Sequence, residues 1–352
     1  MSQIQISRRP FLEVDLEDPF FDSLKSSYDN FTDWFKRKAG EPAYVGYNDS
    51  GEVKAFVYLK EETSIVTDVT PSIPAPCLKI GTLKIEAHGT RLGERFIKII
   101  FDELRKARLN LAYVTVFPDQ TALIDLFQKY GFVLHGTKGK EVVYVKNIPT
   151  KNRGVLLDYP VVKSTGVQKW LLAIRPEYHT PLFPDSILCN ESPELIQDVP
   201  ETNSIHKVYI GWMRDFPLLH DGDGIIIYRC QNAWGGLAWY RSVATSLCVV
   251  EEVRPKKTFR SEVEFVTYCK KHSIFSEKEL SRAYRSQRLG LHAIKMTYNF
   301  AFEKRPNLRT LVMSGAVPHP KEKQYMGLLR LSDEAFSTIL RLGGIDESIA
   351  IY

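Results

Sequence analysis

The sequence lacks several features that would place it in a class at once. Its five cysteines are scattered, and none forms a Cys-x-x-Cys pair, so neither a disulfide framework nor a zinc site is predicted. No apolar run approaches the roughly 18 residues of a membrane span. The first residues show no basic start followed by an apolar stretch, which would mark a signal peptide. Repeats and low-complexity tracts are also absent. We therefore expect a cytoplasmic protein with reduced thiols, no membrane anchor and no metal.

Charge is distributed unevenly along the chain of 352 residues. Residues 1–150 hold 20 Lys and Arg against 20 Asp and Glu, whereas the whole chain holds 47 and 42, which leaves 27 and 22 for the rest. All of the formal net charge of +5 therefore lies in the C-terminal half. This asymmetry favours an anionic partner for that half.

The length is typical of two domains of roughly 150 residues, and a run rich in Pro, Gly and Asn at 148–168 predicts the linker between them. We expect one domain over 1–147 and the other over 169–352. In the first, strand and helix patterns alternate, which predicts an α/β (α+β) fold with a central mixed sheet. The predicted strands are 43–47, 53–59, 77–87, 111–117 and 141–146, and the predicted helices are 94–108 and 123–130.

The segment 79–132 carries the most specific pattern. A strand leads into a loop, His88-Gly89-Thr90-Arg91-Leu92-Gly93, that opens a helix. The first N–H groups of a helix have no intrahelical partner, and the helix dipole adds positive potential there, so the loop predicts a pyrophosphate site. A second strand and a helix ending in Tyr130-Gly131-Phe132 follow. This order of elements suggests an acyl-CoA site.

Residues 40–146 resemble the GNAT acetyltransferase superfamily. Its loop pattern is [Gln/Arg]-x-x-Gly-x-[Gly/Ala], in which His88 takes the first place, Arg91 the first Gly place and Gly93 the last. The resemblance implies acetyl-CoA as the cosubstrate and N-acetyl transfer as the activity. A narrower similarity is to a bacterial GNAT group whose genes often lie beside a PIN-family ribonuclease gene, in apparent toxin–antitoxin pairs. It implies such a ribonuclease as partner.

The resemblance also implies cofactor-binding residues. The edge of the strand would pair with the pantetheine arm, beyond which neighbouring strands would splay, and the loop would hold the pyrophosphate. Gln120 takes the place of a CoA-contacting Asn, and Phe127 takes the place of a Tyr that protonates the departing sulfur. The cofactor-binding candidates are Leu83, Lys84, Ile85, His88, Gly89, Thr90, Arg91, Leu92, Gly93, Glu94, Gln120 and Phe127.

The catalytic groups are less well marked. Glu86, which ends the strand, and Asp68 are candidates for the general base, and the alternative for Glu86 is a solvated strand end. Tyr130 is the candidate acid, because Phe127 has no proton to give. Two functions therefore stay open: an N-acetyltransferase, and a CoA-binding but catalytically weak, antitoxin-like partner of a PIN-type ribonuclease.

The C-terminal half is predicted to be rich in strands. The segment Trp170 to Tyr178 resembles the opening of ASCH domains, which belong to the PUA-like β-barrels that bind RNA or modified nucleotides. Arg282, Arg285 and Arg288 recur at i, i+3 and i+6, which would align three guanidiniums along one helix flank. The RNA-binding candidates are Arg175, Trp212, Arg282, Arg285 and Arg288. The alternatives are core packing for the aromatic residue and a solvated surface for the basic ones.

Overall fold

The computed structural model describes residues 4–86, 92–148, 153–186, 204–231, 238–319, 327–345 and the backbone of 350–351. The chain divides into two compact units, Met1–Ile148 and Pro149–Tyr352. Among the described residues, no helix is long and apolar enough to cross a membrane. In the same residues, no group of three or more His, Cys, Asp or Glu is placed to hold a metal ion.

The N-terminal unit is built on a seven-stranded mixed sheet. Its strands are β1 (Gln5–Pro10), β2 (Pro42–Tyr47), β3 (Val53–Glu62), β4 (Cys77–Ile85), β5 (Leu111–Val116), β6 (Val133–Lys138) and β7 (Glu141–Asn147). Its helices are α1 (Asp22–Ser27), α2 (Phe31–Arg37), α3 (Leu92–Lys106) and α4 (Thr121–Lys129). The strand order is β1-β2-β3-β4-β5-β7-β6. All neighbours are antiparallel except β4 and β5, which are parallel because α3 crosses between them.

The helices cover the two faces of this sheet. On one face, hereafter the α3 face, a Cβ at Gly93 of α3 would touch Leu126 of α4 and Ile85 of β4. On the other face, hereafter the α1 face, aromatic residues of α2 and the segment before α1 pack against β3 in one cluster of edge-on and tilted rings: Phe11, Phe20, Phe21, Phe31, Phe35, Phe56 and Tyr58. Neighbouring side chains of a strand alternate between the faces, so Lys84, whose Nζ lies 4.6 Å from the Phe20 ring centroid, is on the α1 face.

The connection between β3 and β4 is folded onto β6. Val66 bridges Ile73, and Thr70 and Thr137 exchange two backbone hydrogen bonds of 2.9 Å. A Cβ at Gly136 would lie 2.0 Å from the carbonyl oxygen of Thr70. A residue without a side chain is therefore required where the connection crosses the strand.

The C-terminal unit contains a six-stranded sheet of order β10-β13-β12-β11-β9-β14, and a small pair, β8 and β15. The strands are β8 (Val162–Lys163), β9 (Lys169–Ile174), β10 (His206–Gly211), β11 (Gly224–Arg229), β12 (Val243–Pro255), β13 (His292–Ala301), β14 (Leu328–Leu331) and β15 (Ala350–Ile351). The helices are α5 (Val155–Asp158), α6 (Pro176–Leu182), α7 (Ala238–Arg241), α8 (Glu262–Lys270), α9 (Glu277–Arg285), α10 (Leu308–Met313) and α11 (Asp333–Leu342). β9 and β11 are parallel.

The predicted PUA-like barrel is not what the described strands form. They make an open sheet whose edges, β10 and β14, do not pair with each other. Alternate residues enter two separate clusters. Leu171, Ile226 and Leu247 pack with residues of α10 and α11, and Leu172, Ile225 and Cys248 pack with Leu182, Phe183 and Phe216. Because both faces are covered, burial does not require the sheet to curl and close.

The predicted linker also differs from the structure. Within its described part, α5 and β8 form, and Tyr159 is 1% exposed. The Tyr159 hydroxyl donates a 2.9 Å hydrogen bond to the carbonyl oxygen of Tyr298 in β13. The described Gly and Pro residues of this stretch, Gly154, Pro160 and Gly166, therefore belong to the folded C-terminal unit rather than to a solvated tether.

Candidate functional site

The parallel strands β4 and β5 part before either of them ends. They are paired at Leu78–Ala112, Lys79–Tyr113 and Ile80–Val114. Beyond this point β4 continues to Ile85 and β5 to Val116 without pairing to each other. The result is a wedge-shaped gap in the middle of the sheet, hereafter the gap, with backbone N–H and C=O groups along its sides.

The β4 side of the gap begins at a bulge. Tyr58 of β3 pairs with Thr82 and Leu59 pairs with Ile80, so Gly81 is the extra residue. A Cβ there would lie 2.8 Å from Cδ1 of Tyr58, which explains the glycine. Beyond the bulge, the predicted pantetheine edge Leu83–Ile85 pairs with β3 on one side and is unpaired toward β5 among the described residues. The strands separate, but they do so after Ile80 and Val114, before the edge at Leu83–Ile85 and not beyond it as the sequence predicts.

The helix that begins nearest the end of β4 is α3. His88, Gly89, Thr90 and Arg91 of the predicted phosphate loop lie outside the described residues. Leu92, Gly93 and Glu94 form the first turn, whose N–H groups lack intrahelical partners. The Glu94 carboxylate lies 2.8 Å from Nζ of Lys129 in α4, so its side chain takes part in an ion pair between the two helices.

The predicted acid residues are enclosed in the α3 face. Phe127 is 0% exposed, and its ring centroid lies 4.8 Å from that of Phe132. Tyr130, the C-cap residue of α4, is also 0% exposed. Gln120, by contrast, is exposed at the start of α4, four residues after the end of β5. Of the three positions, Gln120 is the one open to a ligand.

The candidate bases are both held by lysines. Glu86 accepts from Lys84 at 2.8 Å, and its side chain is 39% exposed. Asp68 accepts a hydrogen bond from Lys138, which lowers the pKa of its carboxyl. The lowered pKa makes Asp68 a weaker base toward an acceptor amine, and the Glu86 carboxylate is engaged in its ion pair with Lys84.

Two residues of the α1 face meet at the head of the gap, the end at which β4 and β5 are still paired. The sequence analysis did not single them out. Lys79 stands one residue before the last β4–β5 pair, with Nζ 5.8 Å from the ring centroid of its neighbour Tyr113. Burial and the Lys138 cation lower the pKa of Lys79. The signal in the sequence was a lysine between Leu78 and Ile80 in an otherwise apolar strand.

An aromatic contact on the α1 face covers the end of β5. Tyr28, just after α1, donates a 2.7 Å hydrogen bond to Glu141 at the start of β7. Its ring lies 5.4 Å from that of Phe117, the residue that follows β5. The segment between α1 and α2 is thereby tied to the β6–β7 hairpin across the end of β5, and together they form a wall beside the gap.

The predicted RNA-binding residues are only partly grouped. α9 ends at Arg285, so Arg288 does not continue the helix flank. Arg285 makes a bidentate ion pair with Glu262, at 2.7 and 2.8 Å. Arg288 lies 5.2 Å from the Trp212 ring centroid, and Arg282 is exposed on α9. Arg175 precedes α6, and no contact between it and the other four is seen in the described residues.

The chain matches no protein-family model, and no curated protein is detectably similar in sequence. Solved structures that resemble it include the PaiA N-acetyltransferase of Thermoplasma acidophilum in complex with coenzyme A (15% identity, 41% of this chain and 99% of that one, TM-score 0.31). The N-acetyltransferase PseH of Campylobacter jejuni (12%, 41% and 98%, TM-score 0.29) and the IAA acetyltransferase of Bacillus cereus (13%, 42% and 100%, TM-score 0.29) are also similar. Likeness at this level does not transfer an activity.

Proposed function

We propose that the N-terminal unit binds an acyl-CoA in the gap and transfers its acetyl group to an amine. The observation that carries this proposal is the separation of β4 and β5 after Ile80 and Val114. Unpaired backbone groups inside a sheet are costly unless a ligand or water satisfies them. A pantetheine arm, which carries two amides in an extended chain, supplies matching donors and acceptors for the edge at Leu83–Ile85.

The surrounding residues fit the rest of such a ligand. The positive end of α3, a helix of 15 residues, would attract the negative charge of the pyrophosphate. Gln120 is exposed beyond the end of β5, where its amide can donate to the ligand. The acyl group would then lie near the bulge at Gly81, between the aromatic wall and the α3 face.

Acid–base assistance is weak in this arrangement. Glu86 and Asp68 are each ion-paired to a lysine, which lowers the pKa of Asp68, and Phe127 has no proton to give to the leaving thiolate. Catalysis therefore rests on positioning of the thioester, and a thiolate leaves without an acid more readily than an alkoxide does. We expect slow turnover and a preference for amines that are already neutral near pH 7.

The test pairs binding with turnover. Calorimetry with CoA and acetyl-CoA should show one site per chain, and thiol release should be measured with amines of graded pKa at pH 7. Rates that rise as amine pKa falls toward 7 support transfer without a protein base. Absence of binding to either ligand would refute the site.

The second candidate is a CoA-binding regulatory protein with little activity, acting with a ribonuclease of the PIN type. The full burial of Phe127 and Tyr130 favours it. Its outcome in the same assays is tight binding of acetyl-CoA with no thiol release above background. Acetyl-CoA should then change the ribonuclease inhibition exerted by the full chain, and a ligand-independent effect would argue against this function.

For the C-terminal unit we propose contact with single-stranded RNA around Arg288. Its guanidinium lies over Trp212, and Lys256 lies 4.9 Å from the ring centroid of Tyr284 and donates to the carbonyl oxygen of Ser286. Cations beside aromatic rings suit phosphates and stacked bases. Arg288→Ala should reduce the slope of log affinity against log salt by about 0.7. The exposed Arg330 of β14 is the matched control, and an equal loss in Arg330→Ala would reject this surface.

A further inference from the structure

Lys79 occupies an unusual place at the head of the gap. It is half-buried on the α1 face, on the second-last of the three paired positions of β4 and β5. Gly81, where the β4 edge becomes unpaired, is two residues further, or about 7 Å along the strand. The four-carbon stem of a lysine is long enough to bring its amine beside a group held at that point.

The charges around Lys79 leave it without a counterion. The groups that act on it electrostatically are Lys60, Lys138, Glu62 and Asp68. Lys60 pairs with Glu62 at 2.9 Å, and Lys138 pairs with Asp68. Lys79 forms no hydrogen bond or ion pair with the described residues, so it is the uncompensated cation of this group. A desolvated amine beside another cation loses its proton more easily and becomes a better nucleophile.

Its neighbour Tyr113 supplies a hydroxyl that could donate a hydrogen bond to a ligand. Tyr113 is 1% exposed, and its hydroxyl has no hydrogen-bond partner among the described residues. Burial and the acidic groups Glu62 and Asp68 raise the pKa of this phenol, which keeps its proton in place. A buried hydroxyl without a partner costs about 1–3 kcal/mol, and a ligand atom with developing negative charge would satisfy it.

We propose that Lys79 is itself an acyl acceptor, so that the protein acetylates its own β4 strand. This inference rests on acyl-CoA binding in the gap as proposed above. The neutral Nζ attacks the thioester carbonyl carbon, a C–N bond forms and the C–S bond breaks, with the electron pair leaving on sulfur. The nitrogen loses one proton and the thiolate gains one, so amine and thioester give amide and CoA thiol. Tyr113 donates a hydrogen bond to the negative charge that develops.

The product would change the site. The amide carries no charge, so acetylation removes the one positive charge that Lys60, Glu62, Asp68 and Lys138 do not balance. The added acetyl group also fills space at the head of the gap. Acetylated protein should therefore bind acetyl-CoA more weakly than unmodified protein. The modification would thus inhibit further binding of acetyl-CoA at the site.

The experiment uses the full chain incubated with acetyl-CoA and analysed by peptide mass spectrometry over time. We expect Lys79 to be acetylated at least tenfold faster than Lys60 and Lys138, with a rate that saturates in acetyl-CoA. In urea-unfolded chain the preference should vanish. Tyr113→Phe should slow Lys79 modification at least tenfold, whereas Tyr58→Phe, a change on the neighbouring strand, should not.

Calorimetry on the same sample separates the two proposals. If acetyl-CoA binds and Lys79 is modified no faster than Lys60 and Lys138, self-acetylation is refuted and the CoA site stands. If acetyl-CoA does not bind, both are refuted. Modification of Lys79 at equal rates in folded and unfolded chain would show ordinary chemical acetylation and would also refute the proposal.

Discussion

Gly93 offers the sharpest test of how the site is built. A Cβ at this position would lie 2.9 Å from Cδ2 of Leu126 and 3.9 Å from Cδ1 of Ile85. From its place in the predicted phosphate loop, Gly93 is expected to contact the pyrophosphate, which the side chain of Gly93→Val would crowd. The structure gives a different reason for the glycine, because it allows α3 to pack closely on α4. The valine would thus act first on helix packing.

The size of the effect follows from this contact. Overpacking usually costs about 1–3 kcal/mol, and the atom in the way is the end of a half-buried leucine side chain that can move, so we expect Gly93→Val to lose only about 1–2 kcal/mol of unfolding free energy. Shortening Leu126 to Ala removes the atom in the way. In that background the same valine should cost less than about 0.5 kcal/mol, a coupling of about 1 kcal/mol, which is normal for residues in contact.

The assay is urea unfolding of the four proteins of this double-mutant cycle, with CoA calorimetry in parallel. Gly40→Ala is the control, because a Cβ at Gly40 meets nothing within 4 Å. An equal cost of the valine with and without Leu126 would refute the packing argument. If Leu126→Ala restores the stability of the Gly93→Val protein but not its affinity for CoA, then Gly93 is also needed for contact with the pyrophosphate, as the sequence predicts.

Three further predictions concern other parts of the fold. Gly136→Ala should lower the unfolding free energy by about 2–4 kcal/mol in urea titrations, because a Cβ 2.0 Å from the Thr70 oxygen breaks two backbone hydrogen bonds; a loss below about 1 kcal/mol would contradict this. Tyr159→Phe should cost about 1–2 kcal/mol by the same measurement, since it removes a buried hydrogen bond to the Tyr298 carbonyl oxygen. No loss of stability would mean that this stretch is a tether. Burial and two arginines lower the pKa of His179 to about 3. The unfolded chain therefore takes up a proton below about pH 6.5 while the native state does not, so stability should fall by about 1.4 kcal/mol per pH unit from there toward pH 3. His179→Gln should flatten this dependence, and an unchanged slope would refute it.

The order β4–α3–β5–α4 was accessible to sequence reasoning because its periodicities are strong. The apolar residues of α3 recur every three to four positions, and β5 is rich in β-branched residues. β1 and β6 were missed, because Gln5–Pro10 and Val133–Lys138 are edge strands with polar residues and little alternation. These two segments are strands because their backbones pair with β2 and β7, and not because their own sequences show a strand pattern.

The barrel prediction failed for a related reason. The run Trp170 to Ile174 and the run Gly224 to Tyr228 are continuously apolar, which is typical of parallel strands that are buried on both faces. They are indeed β9 and β11, paired in parallel. That signal argued for a two-sided sheet covered by helices, whereas counting short strands and turns suggested a barrel. Which strands pair is a property of long-range contacts that local patterns do not carry.

The residues around the gap show the same limit. Lys79 and Tyr113 come from separate strands, and their contact depends on the register of β4 with β5. The motif identified the loop and helix that would hold a phosphate, since those are local. It did not identify which side chains meet at the head of the gap, because no spacing along the chain encodes the register.

The two faces of the sheet also explain what Phe127 means. The ring lies in the closed packing of the α3 face, against Phe132, with no exposed surface. A hydroxyl added to this ring would be enclosed in the same packing. On the α1 face, beside the separating strands, Tyr113 carries a buried hydroxyl that has no hydrogen-bond partner among the described residues. If the gap holds a thioester, Tyr113 is therefore the phenol to test as a proton donor.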